Sequence, residues 1–265
     1  MDEIKAIPPV EFEVILGKTN FLREKLVKDY HLTLILFLLK NVKGIYFKGG
    51  TALNKIFLNH TRLSEDLDFT ITRVTKEVQS EISQILNNSG FFREIAEDKN
   101  VAGFLRMIIR YNSDLGSGEI FIDLNQRAKL SLKPEEHKVN HFYSPFIPDF
   151  SIKTIAKEEL FAEKVAATIG RNKPRDHFDV YQMIHAKIPF NIEMIKKKCH
   201  ESRDEFSIIK MFNKAQTLKN RWDKDMASLI SEPIAFQEII KFLAKHFNLK
   251  EEKEKIKNLK NKTKN

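Results

Sequence analysis

Residues 47–69 read FKGGTALNKIFLNHTRLSEDLDF. The stretch opens on a glycine pair, Gly49-Gly50, directly after the short apolar run 44–48, and closes on Asp66-Leu67-Asp68-Phe69. The run 44–48 reads as a buried strand. From Thr51, a residue suited to capping, Leu53, Ile56 and Phe57 recur at helical spacing as far as residue 59. Residues 66–71 alternate and are rich in β-branched types, the mark of a second strand. Side chains two apart on a strand point the same way, so Asp66 and Asp68 share one face while Leu67 and Phe69 bury on the other.

Two carboxylates held side by side repel unless a cation lies between them, and hard oxygen ligands suit Mg2+ or Mn2+. The glycine pair lets backbone N–H groups approach phosphate oxygens with no Cβ in the way. The following helix offers its N-terminal end, and Lys48 and Thr51 add a charge and a hydroxyl. A phosphate holder beside a metal-binding acid pair is what nucleotidyl transfer requires, because that reaction is mostly positioning and charge neutralisation. Asp123, inside the apolar run 120–124, is costly to bury without a partner. If its strand lies beside that of Asp66, it can share the metals and help deprotonate the attacking hydroxyl. Each feature also has a plainer reading. Paired glycines make turns, one Asp can cap a strand while the other pairs with Arg62, and Asp123 can face solvent from an edge strand.

Outward from this stretch, spacing predicts helices over 11–29, 31–39 and 75–88, the last stopped at Gly90, and strands over 91–95, 102–111 and 119–125. Beyond Pro145 and Pro148 the pattern turns helical, over 155–169, 174–186, 192–199, 204–219 and 233–247. The expected fold class is α+β: a domain with a mixed sheet over 1–150, a helical domain over 151–247, and a basic tail over 248–265 that is a frayed helix or disordered. With 265 residues and 42% hydrophobic content, the chain can build a sizeable core. The longest apolar run, 32–39, falls well short of the roughly 20 residues that span a bilayer, and the N-terminus lacks the order of a secretory signal. A cytoplasmic protein with no membrane partner is expected. Cys199 is the sole cysteine, which excludes an internal disulfide and a multi-cysteine zinc site and leaves oxygen or histidine ligands for any metal. A formal net charge of +9 favours anionic partners such as nucleic acid, with seven lysines in 248–265 and a cluster at Lys196, Lys197 and Lys198. The lysine excess is also what a biased genome composition produces.

The run Lys48-Gly-Gly-Thr-Ala-Leu53, then Arg62-Leu-Ser64-Glu-Asp66-Leu-Asp68-Phe69, resembles the AbiEii/AbiGii toxin family of nucleotidyltransferases. That family includes the MenT-type toxins and sits in the DNA polymerase β-like superfamily. A second block resembles its helical-domain motif: residues 158–167, EELFAEKVAA, with Arg171-Asn-Lys-Pro-Arg175-Asp176-His-Phe-Asp179-Val-Tyr181. The resemblance implies a polymerase β-like domain followed by a helical one, with Gly50 and Thr51 at the phosphates and Asp66 and Asp68 on the metal. It also implies that Lys164 and Asp179, with Asp176 nearby, reach into the same cleft. The alternative for these three is a salt-bridge network of Lys164 with Asp176 or Asp179. The candidate catalytic residues are thus Asp66, Asp68, Asp123, Lys164 and Asp179, with Asp66, Asp68 and Asp123 as metal ligands. The candidate nucleotide-binding residues are Lys48, Gly49, Gly50, Thr51, Arg62, Ser64 and Asp176. His60 and His177 are expected to be surface or packing residues and not ligands. The implied activity is Mg2+- or Mn2+-dependent transfer of NMP from an NTP to RNA, tRNA foremost, by the toxin of a toxin–antitoxin or phage-defence pair with a cognate antitoxin. A protein or small-molecule acceptor, and a nucleotide-binding module without turnover, are the competing readings.

Overall fold

The computed structural model describes residues 4–171 and 173–262. Along the chain run α1 (Pro9–Thr19), α2 (Arg23–Leu39), β1 (Ile45–Lys48), α3 (Gly49–Ala52, continued by the π-helical turn Leu53–Phe57), β2 (Asp66–Ile71) and α4 (Thr75–Ser89). Then follow β3 (Glu94–Val101), β4 (Phe104–Ser113), β5 (Gly116–Asn125), β6 (Glu135–Lys138) and β7 (Ser151–Thr154). The remainder is helical: α5 (Lys157–Gly170), α6 (Pro174–His185), α7 (Ile192–Glu201), α8 (Ile208–Phe212), α9 (Ala215–Met226), α10 (Phe236–His246) and α11 (Leu249–Lys262). These form two units, residues 1–160 with 228–231, and residues 161–227 with 232–265.

In the first unit, seven strands make one sheet in the order β3-β4-β5-β2-β1-β7-β6. Pairing is parallel at β2–β5 and β1–β7 and antiparallel elsewhere, so the expected α+β architecture with a mixed sheet is present. Alternation along the central strands divides the sheet cleanly. Phe47, Leu67, Phe69, Leu105, Met107, Ile109, Ile120, Ile122 and Leu124 are buried on one face, each contributing roughly 1.5–3 kcal/mol relative to exposure. Helix α2 packs on β5 and on α4 against that face, and His31 of α2 stacks on Tyr111 of β4 at 3.8 Å. The half-buried opposite face carries Lys48, Asp66, Asp68, Arg106 and Asp123.

Several boundaries differ from those read in the sequence. One helix, α2, runs through Tyr30 and His31, where two were expected. The break comes earlier, at left-handed Asn20 (φ 57°), because 23–39 holds neither glycine nor proline to stop it. The expected 204–219 helix is two, α8 and α9. Strands β6 and β7 were not anticipated, being four residues each and too short to show a period. The basic tail is helical as far as Lys262.

His31 is buried, with Nδ1–H donating to the Val27 carbonyl at 2.8 Å, and burial pulls its pKa from 6.5 down to about 4, the backbone contact opposing. The folded state therefore holds it neutral, whereas the unfolded chain protonates near pH 6.5. Its contribution is complete above that value and is lost as pH falls through about 4, a swing of about 3 kcal/mol. Melting scans should show stability declining between pH 6.5 and 4, and His31→Gln should flatten that decline.

Candidate active site

The register of β1, β2, β5 and β4 places four charged residues in one row across the sheet. Lys48 faces Asp68 across β1–β2, Asp68 faces Asp123 across β2–β5, and Asp123 faces Arg106 across β5–β4. Directly opposed residues have Cβ atoms about 4.5–5.5 Å apart, so the row reads cation, carboxylate, carboxylate, cation. Asp66 lies two residues before Asp68 on the same face. The strand of Asp123 thus does adjoin that of Asp66, as the three-carboxylate reading requires.

The glycine pair begins α3 immediately after Lys48. Gly49 adopts φ +79°, and a Cβ on it would overlap the Asp68 carboxylate. Only glycine combines that backbone with that proximity. The opening N–H groups of a helix lack acceptors within it, so those of residues 49–51 start beside the acid pair. Thr51 is buried and donates its hydroxyl to the Asp66 carbonyl at 2.5 Å, fixing the start of α3 to the start of β2. Asn54 braces the intervening loop. Its Nδ2 donates to the Gly50 carbonyl (3.1 Å), while its Oδ1 accepts from the Thr61 hydroxyl (3.0 Å) and the Arg62 amide (3.3 Å). Arg62 and Ser64 are themselves buried, Arg62 Nη1 donating to the Leu63 carbonyl (2.8 Å) and the Ser64 hydroxyl (3.1 Å). Beneath them, Lys55 of the π turn is fully enclosed and pairs with Asp29 of α2 at 2.8 Å, and the Tyr143 hydroxyl donates to the same carboxylate. His60 packs on Phe142 at 4.4 Å.

Asp123 is bound in a fork by Arg106, with Nε to Oδ1 at 2.7 Å and Nη2 to Oδ2 at 2.8 Å. The hydrogen bonds that Arg106 donates to Asp123 raise the arginine pKa still further. Arg106 went unnoticed in the sequence, yet a signal exists. Once the two-residue turn Asp114-Leu115 is placed, equal counts along β4 and β5 bring Arg106 opposite Asp123. Asn54 and Lys55 were likewise missed, because nothing in a helical pattern separates a bracing polar residue from a solvated one.

In the helical unit, Lys164 of α5 lies 3.1 Å from Asp176 and 2.9 Å from Asp179 of α6, all three nearly inaccessible. Arg171 closes a second fork on Asp176 at 2.8 Å. Burial would raise the Asp176 pKa, but the Lys164 and Arg171 charges outweigh it and hold the carboxyl well below the usual carboxylate range. His177 sets its two nitrogens against the Lys173 and Met211 carbonyls, a packing role. Lys198 is buried between Glu163 and Glu201, so only Lys196 and Lys197 of that basic cluster reach solvent. Asn172 of the second block lies outside the described residues.

Among the described residues, no three His, Cys, Asp or Glu side chains stand together as a ready-made cation site. Asp66 and Asp68, two hard oxygen donors on one face beside a glycine cradle, do fit Mg2+ or Mn2+, and the third carboxylate is engaged by Arg106.

Residues 40–242 match the family described as "Nucleotidyl transferase AbiEii toxin, Type IV TA system". No curated protein matches at the level of sequence. Among solved structures the fold is similar to MenT4, a nucleotidyltransferase toxin of Mycobacterium tuberculosis H37Rv, with a TM-score of 0.68 and 19% identity over 91% of this chain and 89% of that one. It is also similar to JHP933 from Helicobacter pylori, with a TM-score of 0.61 and 16% identity over 91% and 99% of the two chains. No helix among the described residues is long and apolar enough to cross a membrane.

Gly49→Ala should displace Asp68 and cost about 1–3 kcal/mol in strain, whereas Gly17→Ala, with open space around its added methyl, should be neutral or mildly stabilising in parallel melts. Lys164→Ala removes the buried cation shared by two buried carboxylates and should cost roughly 3–5 kcal/mol, with Lys164→Met no better in charge but better in packing, both measurable by chemical denaturation.

Proposed function

Because the chain belongs to the AbiEii nucleotidyltransferase toxin family of type IV toxin–antitoxin systems, we propose that it uses Mg2+ or Mn2+ to move NMP from an NTP onto an RNA acceptor, tRNA foremost. That it is a nucleotidyltransferase toxin follows from the family. The metal and the acceptor are the proposed part. The observation that carries the metal dependence is the carboxylate patch of Asp66, Asp68 and Asp123 beside Gly49.

In this reading the acceptor hydroxyl attacks the α-phosphorus in line. A bond forms from its oxygen to that phosphorus, the bond to the bridging oxygen breaks, and pyrophosphate leaves with the electron pair. Asp66 and Asp68 would hold the divalent cation, which supplies neutralisation for the triphosphate when bound. The amides opening α3 and the Lys48 ammonium bind and orient phosphate oxygens. Asp123 is the neighbouring carboxylate placed to take the hydroxyl proton.

The acceptor class is supported by where the charge lies. Residues 161–227 and 232–265 carry the entire formal net charge of +9, and residues 1–160 with 228–231 sum to zero. Exposed lysines of the helical unit include Lys187, Lys196, Lys197, Lys241, Lys245, Lys253 and Lys257. A basic surface of this kind attracts phosphate backbones without reading sequence, with an affinity that falls steeply with salt. The family also implies an antitoxin that silences the activity.

The purified chain, incubated with each labelled NTP, Mg2+ or Mn2+, and RNA or protein extract, should label RNA. Asp66→Ala and Asp68→Ala should abolish labelling while melting at or slightly above the wild-type temperature, since each removes one of two crowded like charges. Replacing Lys241, Lys245, Lys253 and Lys257 with Gln should weaken apparent RNA affinity and flatten its salt dependence. Label in the protein pool alone would discard RNA as acceptor, and full activity in either Asp variant would discard the metal assignment.

A further inference from the structure

The carboxylate patch is not fully available to a cation. Both oxygens of Asp123 are occupied by one guanidinium, in the parallel two-bond geometry that is the strongest pairing open to a carboxylate. Exposure within the pair is unequal: the Asp123 side chain is 14% exposed and that of Arg106 37%. Arg106 is therefore the partner that can leave without disturbing the core. Its guanidinium lies over the Phe121 ring at 5.2 Å, a second resting contact on the same face, and Phe121 is the register partner of Asp66. A guanidinium binds phosphate oxygens with the same fork that it offers a carboxylate.

We propose that Arg106 is a positioning residue that competes with the divalent cation for Asp123. In the resting site the guanidinium withholds Asp123, which joins the cation's ligands when an incoming phosphate draws Arg106 away. The idea rests on the metal-dependent transfer proposed above. The exchange swaps one oxyanion for another and moves no proton and no covalent bond. Cation and triphosphate binding are thereby coupled, because the phosphate that occupies Arg106 frees the ligand that the cation lacks. A permanent structural pair would show no such coupling.

The test is Mn2+ titration of the full chain without nucleotide, followed calorimetrically, in wild type and five variants and with inorganic tripolyphosphate as the probe anion. Arg106→Gln should bind Mn2+ about 10-fold more tightly than wild type, the effect expected when a competitor worth one strong charge-assisted pair is removed. Asp123→Asn should leave wild-type affinity little changed, yet erase the gain in the Arg106→Gln background. Tripolyphosphate should tighten Mn2+ binding in wild type more than in Arg106→Gln. Arg106→Lys, which keeps the charge but loses the fork, should fall between and serves as the comparison if Arg106→Gln folds poorly. Equal or weaker Mn2+ binding in both Arg106 variants would overturn the proposal, as would an equal loss on Asp123→Asn in the two backgrounds. Asp68→Ala separates the two levels. If it abolishes Mn2+ binding while the Arg106 variants gain nothing, the competition alone is wrong; if it leaves binding intact, the cation site is wrong and the competition falls with it.

Discussion

Crowding of like charge is the constraint from which the rest of this site follows. Asp66, Asp68 and Asp123 occupy adjacent positions on one sheet face, and a fold that holds carboxylates so close must supply opposing charge. It does so at both ends of the row, with Lys48 on β1 and Arg106 on β4. The same constraint accounts for Gly49, whose missing side chain leaves room for the Asp68 carboxylate. Two further buried cations brace the framework, Arg62 through the Leu63 carbonyl and Lys55 through Asp29. The helical unit meets a like problem by a different route. Asp176 and Asp179 share a helix face, and Lys164 answers both in nearly complete exclusion of solvent while the exposed Arg171 closes on Asp176. Such pairs stabilise little in net terms, yet removal of one member leaves an uncompensated charge, which makes them strict about geometry.

Much of this was legible in the sequence because it is periodic. The alternation of Asp66-Leu67-Asp68-Phe69 located β2 to the residue, Gly90 marked the end of α4, and Pro174 marked the start of α6. The illegible parts depend on register and enclosure. That Asp123 adjoins Asp68 is a property of parallel pairing between strands some fifty residues apart, which no local pattern encodes. That Lys198 is buried while Lys196 and Lys197 are not follows from the helix face it happens to occupy. The segment around residue 30 shows the reverse error: a boundary was expected between Asp29 and His31, but α2 runs through it, with the Tyr30 and His31 rings against Tyr143 and Tyr111.

The route of the chain between its two units carries a consequence for dissection by genetics or protease. The polypeptide leaves the sheet unit after Leu160, returns for Ser228–Ser231, and departs again. During that brief visit Leu229 offers its carbonyl to the Leu63 amide at 2.8 Å, within the loop that leads into Asp66. Residues 161–227 are thus an insertion between two parts of one folding unit, and not an appendage to it. A fragment that stops at residue 160 keeps every carboxylate of the patch but forfeits the strap beneath the loop that aims them. A cut at residue 160 therefore does not release the whole of the sheet unit, because four of its residues lie beyond the helical insertion.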